Sequence, residues 1–289
     1  MSWRTVIIDS QSKLDYKMGY LVVRGNETHR ILLDEIATVV IENPAVSLTG
    51  FLIEALTEKK IKVIFCDSKR NPTAELIPHH GCHDSSAKIR TQMSWNEAAK
   101  ASVWQDIISE KIRRQAEFLM ELGKEKQAQL LSDYIGQVEL LDATNREGHA
   151  AKVYFNALFG MEFTRSAEVP LNAALNYGYS LVLSAFNREI AANGYLTQLG
   201  IFHCNMFNHF NLSCDFMEPF RIIVDRYVYE MMPSKFEKDE KYALWRIPEQ
   251  TVVIEEQRQS VSNAIKIYTK SVFDAINDND SSKIKFYSF

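Results

Sequence analysis

The stretch HCNMFNHFNLSCDFMEPFR, residues 203–221, opens on an imidazole, His203, and carries two carboxylates, Asp215 and Glu218, toward its end. The acids stand among Cys, Phe, Met and Pro rather than among the Lys and Ser of a solvated surface. Buried acids need partners. If residues 215–218 are helical, the i, i+3 spacing puts both carboxylates on one face about 5–6 Å apart, a costly pair unless a cation bridges it. Pro219 disfavours the right-handed α region at Glu218, which sets that residue at a helix entrance with Pro219 at the first position. One histidine with two or three carboxylates suits Mg²⁺ or Mn²⁺ better than zinc, because hard oxygens dominate and positions stay open for water and phosphate. The plainer reading makes His203, between Phe202 and Cys204, a satisfied core histidine.

A third acid, Glu147, lies in DATNREGHAAKVYFNALFG. Thr144-x-x-Glu147 matches a capping box, in which the threonine accepts from a backbone N–H one turn in and the glutamate reaches back to the cap. Against that, Gly148 is a poor first-turn residue, about 1 kcal/mol worse than Ala inside a helix, and suggests backbone packed tightly near a ligand. Both readings stay open. A competing cluster, His79, His80, Cys82, His83 and Asp84, offers soft ligands to zinc, but tetrahedral sites usually take two ligands from each of two elements and no second pair is apparent. The Met and aromatic positions of RIIVDRYVYEMM have helical spacing and read as core.

The elements that position these residues fall into two classes. WRTVIID (3–9), YLVVR (20–24), RILL (30–33), ATVVIE (37–42), KVIFC (62–66) and TAELIP (73–78) read as strands, interrupted by one helix over 47–60. HHGCHDSS reads as a linker. From about residue 88 the period becomes helical: 95–122 is one long amphipathic helix, and further helices are expected over 125–136, 146–159, 171–193, 218–232 and 251–276, with NDNDSSKIKFYSF as a weakly ordered tail. The fold class is α+β: a β-rich domain over 1–83, then an all-α catalytic domain over 84–289.

A chain of 289 residues, 46% hydrophobic and 24% charged, accommodates two such domains. The net charge of −4 argues against a polyanion binder working by bulk charge, although Lys111, Arg113 and Arg114 could form a local basic stripe. Four cysteines without CxxC spacing suit reduced thiols. No apolar run approaches the roughly 20 residues that cross a bilayer, and the N-terminus lacks a signal pattern, so a cytoplasmic location without membrane contact is expected.

NREGHAAKVYFNALFG, LNAALNYGYSLVLSAFNREI and GIFHCNMFNHFNLSCDFMEPFR resemble, in order and spacing, the integrases of CRISPR spacer acquisition, the Cas-one family. The resemblance spans the whole chain, and WRTVIID with KVIFCDSKRNPTAELIP is most similar to the type II-A branch. It implies a metal-dependent DNA endonuclease and integrase that inserts spacer DNA into a repeat array by 3′-hydroxyl attack on a phosphodiester. Carried over residue by residue, it makes Glu147, His203 and Glu218 the metal ligands, Asp215 a supporting carboxylate, and Mg²⁺ or Mn²⁺ the cofactor. Many relatives have Asp where this chain has Glu218. The run 176–179 is assigned to packing behind the site, and Tyr154 to the substrate side. The implied partners are protospacer and leader-repeat DNA, a second copy joined through the β domain, a Cas-two dimer bridging two such homodimers, the effector nuclease and an accessory adaptation protein. Two alternatives stand beside this: a metal-dependent phosphodiesterase of another DNA or RNA process, and a non-catalytic helical binding module whose acids cap helices.

Overall fold

The computed structural model describes residues 4–76 and 82–289. Trp3 of the first expected strand, and His79 and His80 of the His/Cys cluster, lie outside the described residues. The chain divides into two compact units, Met1–His83 and Asp84–Phe289.

The first unit runs β1 (Arg4–Ile8), β2 (Lys13–Lys17), β3 (Tyr20–Arg24), β4 (Thr28–Leu32), β5 (Ile36–Ile41), β6 (Ser47–Leu48), α1 (Gly50–Glu58), β7 (Lys62–Cys66) and β8 (Pro72–Leu76). One sheet has the order β1-β5-β7-β8, with β1, β5 and β7 parallel and β8 antiparallel at its edge. The other has the order β4-β3-β2-β6. Alternate residues from both sheets, including Val6, Ile8, Leu21, Val23, Val39, Ile41 and Val63, join Leu52 and Leu56 of α1 in one core. Each such side chain contributes about 1.5–3 kcal/mol when fully buried. The helix expected from residue 47 starts at Gly50, because Thr49 takes the extended cap conformation and its side chain accepts from the Leu52 N–H.

The second unit is mostly helical: α2 (Ser85–Met93), α3 (Glu97–Glu121), α4 (Glu125–Ile135), α5 (Arg146–Phe159), α6 (Pro170–Ala192), α7 (Asn211–Met217), α8 (Arg221–Met231), α9 (Lys238–Leu244) and α10 (Val261–Asp278). Asn96 caps α3 by accepting from the Ala98 N–H, and α3 then packs against α4, α5, α8 and α10. Two expectations fail here. The helix expected from 251 begins only at Val261, because Thr251–Ile254 and Gln257–Ser260 pair as the antiparallel hairpin β9–β10. The tail is fastened rather than loose: Tyr287 is buried, its hydroxyl donates to the Pro219 carbonyl at 2.9 Å, and Ser288 bridges Val253. No helix among the described residues is long and apolar enough to cross a membrane.

Candidate active site

Three elements distant in sequence deliver charge to one point. Lys111 comes from the middle of α3, Glu147 from the first turn of α5, and Glu218 from the 3₁₀ turn Glu218–Phe220 between α7 and α8. The Lys111 ammonium donates to Glu147 Oε1 and to Glu218 Oε2, each at 2.5 Å. The other Glu218 oxygen, Oε1, accepts from Arg221 Nε at 2.9 Å. Glu218 and Lys111 are buried, whereas the Glu147 side chain is 28% exposed. Burial works to raise the Glu218 pKa, but Arg221 and Lys111 outweigh it and hold the carboxyl at about 2. Burial likewise works against the Lys111 ammonium, and the two carboxylates overcome it and raise its pKa.

His203 lies on the loop before α7 and is governed by Asp215. Asp215 Oδ2 accepts from the backbone N–H of Ile201 at 2.7 Å and of Phe202 at 3.1 Å. Its Oδ1 accepts from the His203 N–H at 3.0 Å and lies 2.6 Å from His203 Nδ1. With Nδ1 as donor, Nε2 is left with a lone pair. The Asp215 bond, against the opposing effect of burial, raises the His203 pKa. Burial raises that of Asp215 despite the imidazole. Phe202 stacks on Trp104 at 4.3 Å between centroids, and the imidazole meets the same indole edge-on at 5.7 Å, which restrains ring rotation. A Cβ at Gly200 would stand 2.3 Å from the His203 carbonyl oxygen and 2.7 Å from Asp215 Oδ2, so the loop can wrap this carboxylate only with glycine there. A cleft of about 520 Å³ opens beside His203, with Lys100, Gln198, Asn208 and His209 in its wall.

Behind Glu218 is a second polar layer. The Arg221 guanidinium lies over the Tyr179 ring at 4.8 Å, and the Tyr179 hydroxyl donates to Asp225. Burial raises the Asp225 pKa to about 6 against the opposing effects of that hydrogen bond and of Arg221. Gly178 brings α6 against Val224 of α8, so the run 176–179 packs behind the site.

Several sequence readings are corrected by this geometry. Glu147 does not close a capping box: Thr144 Oγ1 donates to the Gln137 carbonyl, Asn145 is left-handed, and the first N–H groups of α5, from Arg146 and Glu147, donate to the Asp142 carboxylate at 2.7 and 3.0 Å. Gly148 answers to Asn145, whose side chain a Cβ would meet at 2.6 Å, rather than to a ligand. Glu218 keeps right-handed helical angles (φ −52°, ψ −46°) despite Pro219, because the chain tightens into a 3₁₀ turn and continues into α8. Tyr154 is fully buried and cannot face substrate. Of the basic stripe, Lys111 is enclosed and Arg114 is largely buried against Glu110 and Glu117, whereas the Arg113 side chain, paired with Glu110, stays half exposed.

Among the described residues no group of three or more His, Cys, Asp or Glu side chains stands ready to hold a metal ion. The donor set nevertheless fits a hard divalent cation: Glu147 and Glu218 already converge on one positive charge, and Asp215 orients an imidazole whose electrostatic field includes both acids. Lys111, Arg221 and Asp142 were not singled out as parts of the site by the sequence reading. Lys111 had a signal, its helical register with Trp104, Ile107, Ile108 and Gln115, all buried on α3.

The family model described as CRISPR associated protein Cas1 matches residues 5–261. A CRISPR-associated endonuclease Cas1 from Neisseria meningitidis is 33% identical over 99% of this chain and 96% of its own length. The fold is that of a casposase solved bound to an integration product (TM-score 0.75, 16% identity, 98% of this chain and 94% of that one). It is also that of part of a solved Cas6-RT-Cas1–Cas2 complex (TM-score 0.72, 16% identity, 97% of this chain), of which it spans 36% of the matched chain. From the family match across most of its length, and from the Neisseria relative, this chain belongs to the CRISPR-associated Cas1 family.

Proposed function

We propose that this chain is the DNA integrase and endonuclease of CRISPR adaptation, joining the 3′ end of spacer DNA to the repeat by transesterification. The observation that carries the reading is the convergence of Glu147 and Glu218 on a single positive charge beside an aspartate-oriented histidine, in a chain of this family. Glu147, Glu218 and His203 Nε2 are the groups that would hold Mg²⁺ or Mn²⁺. Such an ion, when bound, polarises a non-bridging phosphate oxygen and stabilises the departing oxygen.

The chain's own residues supply position. Asp215 fixes the imidazole through Nδ1, and Trp104 and Phe202 restrain it. Arg221 holds Glu218 Oε1, which leaves Oε2 to face Glu147. The cleft beside His203 presents Lys100, Gln198, Asn208 and His209, side chains that could meet the phosphates of a DNA end. In the reaction a 3′-hydroxyl forms the new P–O bond as the attacked strand's 3′-oxygen leaves with the electron pair. Water in place of the hydroxyl gives cleavage.

The partners belong to the same proposal. In the first unit Tyr16, Met18, Tyr20, Phe51 and Ile53 are exposed, which supports a homodimer through that unit. The likeness to a Cas1–Cas2 complex supports a Cas-two dimer between two such pairs. Effector nuclease and accessory adaptation protein follow from the branch. That branch is type II, and within it the N-terminal stretches favour II-A, a subtype that the likeness to the Neisseria protein does not decide and that the genes beside this one would decide.

The test is integration of a short duplex into supercoiled plasmid carrying the repeat, with Cas-two and Mn²⁺. Glu147→Gln, His203→Ala and Glu218→Gln are each expected to abolish joining in a protein that still melts cooperatively. Full joining by Glu147→Gln and Glu218→Gln would return the acids to a structural role, and cleavage without joining by the wild type would favour a phosphodiesterase of another process.

A further inference from the structure

The buried ammonium at the centre of the site has no solvating role, and its geometry assigns it a task. Glu147 and Glu218 arrive from different elements, and like charges so close repel unless a cation stands between them. Lys111 is that cation: it is 6% exposed, and it donates to one oxygen of each acid. Arg221 takes one acceptor position on the other oxygen, Oε1, and so turns Oε2 toward Lys111 and Glu147. A divalent ion held by both acids would sit beside the Lys111 ammonium, and the two positive charges would repel.

We propose that Lys111 is an internal counter-cation that keeps Glu147 and Glu218 in register and competes directly with the divalent ion for Glu147 Oε1 and Glu218 Oε2. The proposal rests on the reading of these two acids as metal ligands. An ammonium 2.5 Å from an oxygen of each acid repels a dication that approaches the same pair, so entry of the ion drives the Lys111 head group to withdraw. Its flexible four-carbon stem permits this without moving α3. The site thereby folds with its ligands already paired, and its affinity for the ion is set below what two carboxylates and an imidazole alone would give.

The experiment measures Mn²⁺ binding by calorimetry, and melting in EDTA and in Mn²⁺, for wild type, Lys111→Met and Glu218→Gln. Competition predicts that Lys111→Met binds Mn²⁺ about tenfold or more tightly than wild type, since one charge at this range biases a neighbouring ionic equilibrium by about one to three decades. It also predicts that Lys111→Met melts lower in EDTA and gains more from Mn²⁺ than wild type does. Equal or weaker binding by Lys111→Met, with wild-type binding still dependent on Glu218, overturns the competition and leaves the metal reading standing. Wild-type binding that survives Glu218→Gln unchanged overturns both. If Lys111→Met does not fold, the lysine ammonium resonances of ¹⁵N-labelled wild type carry the test: the protected Lys111 signal should disappear at saturating Mg²⁺, and its persistence there refutes displacement.

Discussion

Gly178 is where the packing of α6 on α8 can be tested by the sign of a single substitution. A methyl group added there would stand 2.4 Å from Val224 Cγ1 and 3.5 Å from Val224 Cβ and Cγ2. Carbon pairs settle at about 3.5–4.0 Å, so the nearest contact overlaps by roughly 1 Å. Val224 is fully buried, and a β-branched side chain in a helix has one strongly preferred rotamer, so it cannot turn aside. Helix propensity alone favours Gly178→Ala by about 1 kcal/mol. Overpacking costs about 1–3 kcal/mol, and an overlap this deep belongs at the upper end, so a net loss of about 2 kcal/mol is expected. The strain falls on the joint that seats Arg221, because Tyr179 follows Gly178 and donates to Asp225, the residue after Val224. Urea melts of Gly178→Ala, Val224→Ala and the double variant decide the matter. Val224→Ala alone should lose about 1.6 kcal/mol or more for its buried methyls. In the double variant the new methyl occupies the released space, giving a favourable coupling of about 1–3 kcal/mol. Joining should weaken in Gly178→Ala and recover in the double variant. A Gly178→Ala protein more stable than wild type, or strictly additive effects, would refute the reasoning.

Four shorter tests follow from the same geometry. Tyr287→Phe leaves the buried Pro219 carbonyl without its donor and should cost about 1–3 kcal/mol in thermal or urea melts; an unchanged melt would mean the tail is not fastened there. Glu218 is held at about 2 against an ordinary 4.5, so its ionised form stabilises the fold fully above pH 4.5, and that stabilisation is lost as pH falls toward 2. The stability gap between wild type and Glu218→Gln should accordingly shrink by about 3 kcal/mol over that window, and a gap independent of pH would contradict the pairing. Gly200→Ala should force the loop off Asp215 and lower joining by about a hundredfold, the scale of an ångström's misplacement, and near-normal joining would show that the loop adapts. Asp142→Ala should cost about 1 kcal/mol as a lost helix cap while Thr144→Ala costs little, and the reverse order would restore the capping box.

The sequence made the helical period of α3 and α6 readable because their apolar stripes are long, and the strands β3 and β7 because β-branched runs mark them. It hid the β9–β10 hairpin, whose turn residues Glu255 and Glu256 adopt positive φ without the Asn or Gly that would announce it. It hid the docked tail as well, since polar residues 277–282 precede the aromatic anchor Tyr287. At the site, the residue types of Glu147, His203, Asp215 and Glu218 were legible, but their partners were not. Lys111 reads as part of a basic run until its register on α3 is taken seriously, and Asp142 caps α5 from four residues before its start, outside the threonine spacing that draws the eye.

The i, i+3 pair Asp215 and Glu218 shows why two adjacent acids can tolerate burial and yet differ in role. Asp215 has every acceptor position committed, to three backbone N–H groups and one imidazole nitrogen, all from residues 201–203. Nothing remains on it for a cation, so its influence on chemistry passes through the ring it holds. Glu218 instead receives both of its partners from side chains, Arg221 on one oxygen and Lys111 on the other. Of these, only Lys111 is shared with a second acid, and its proposed withdrawal would leave the carboxylate seated, because Arg221 keeps its grip on Oε1. On the proposed reading, acceptor capacity left over on Glu218 and absent from Asp215 is what separates a ligand from a scaffold in this pair.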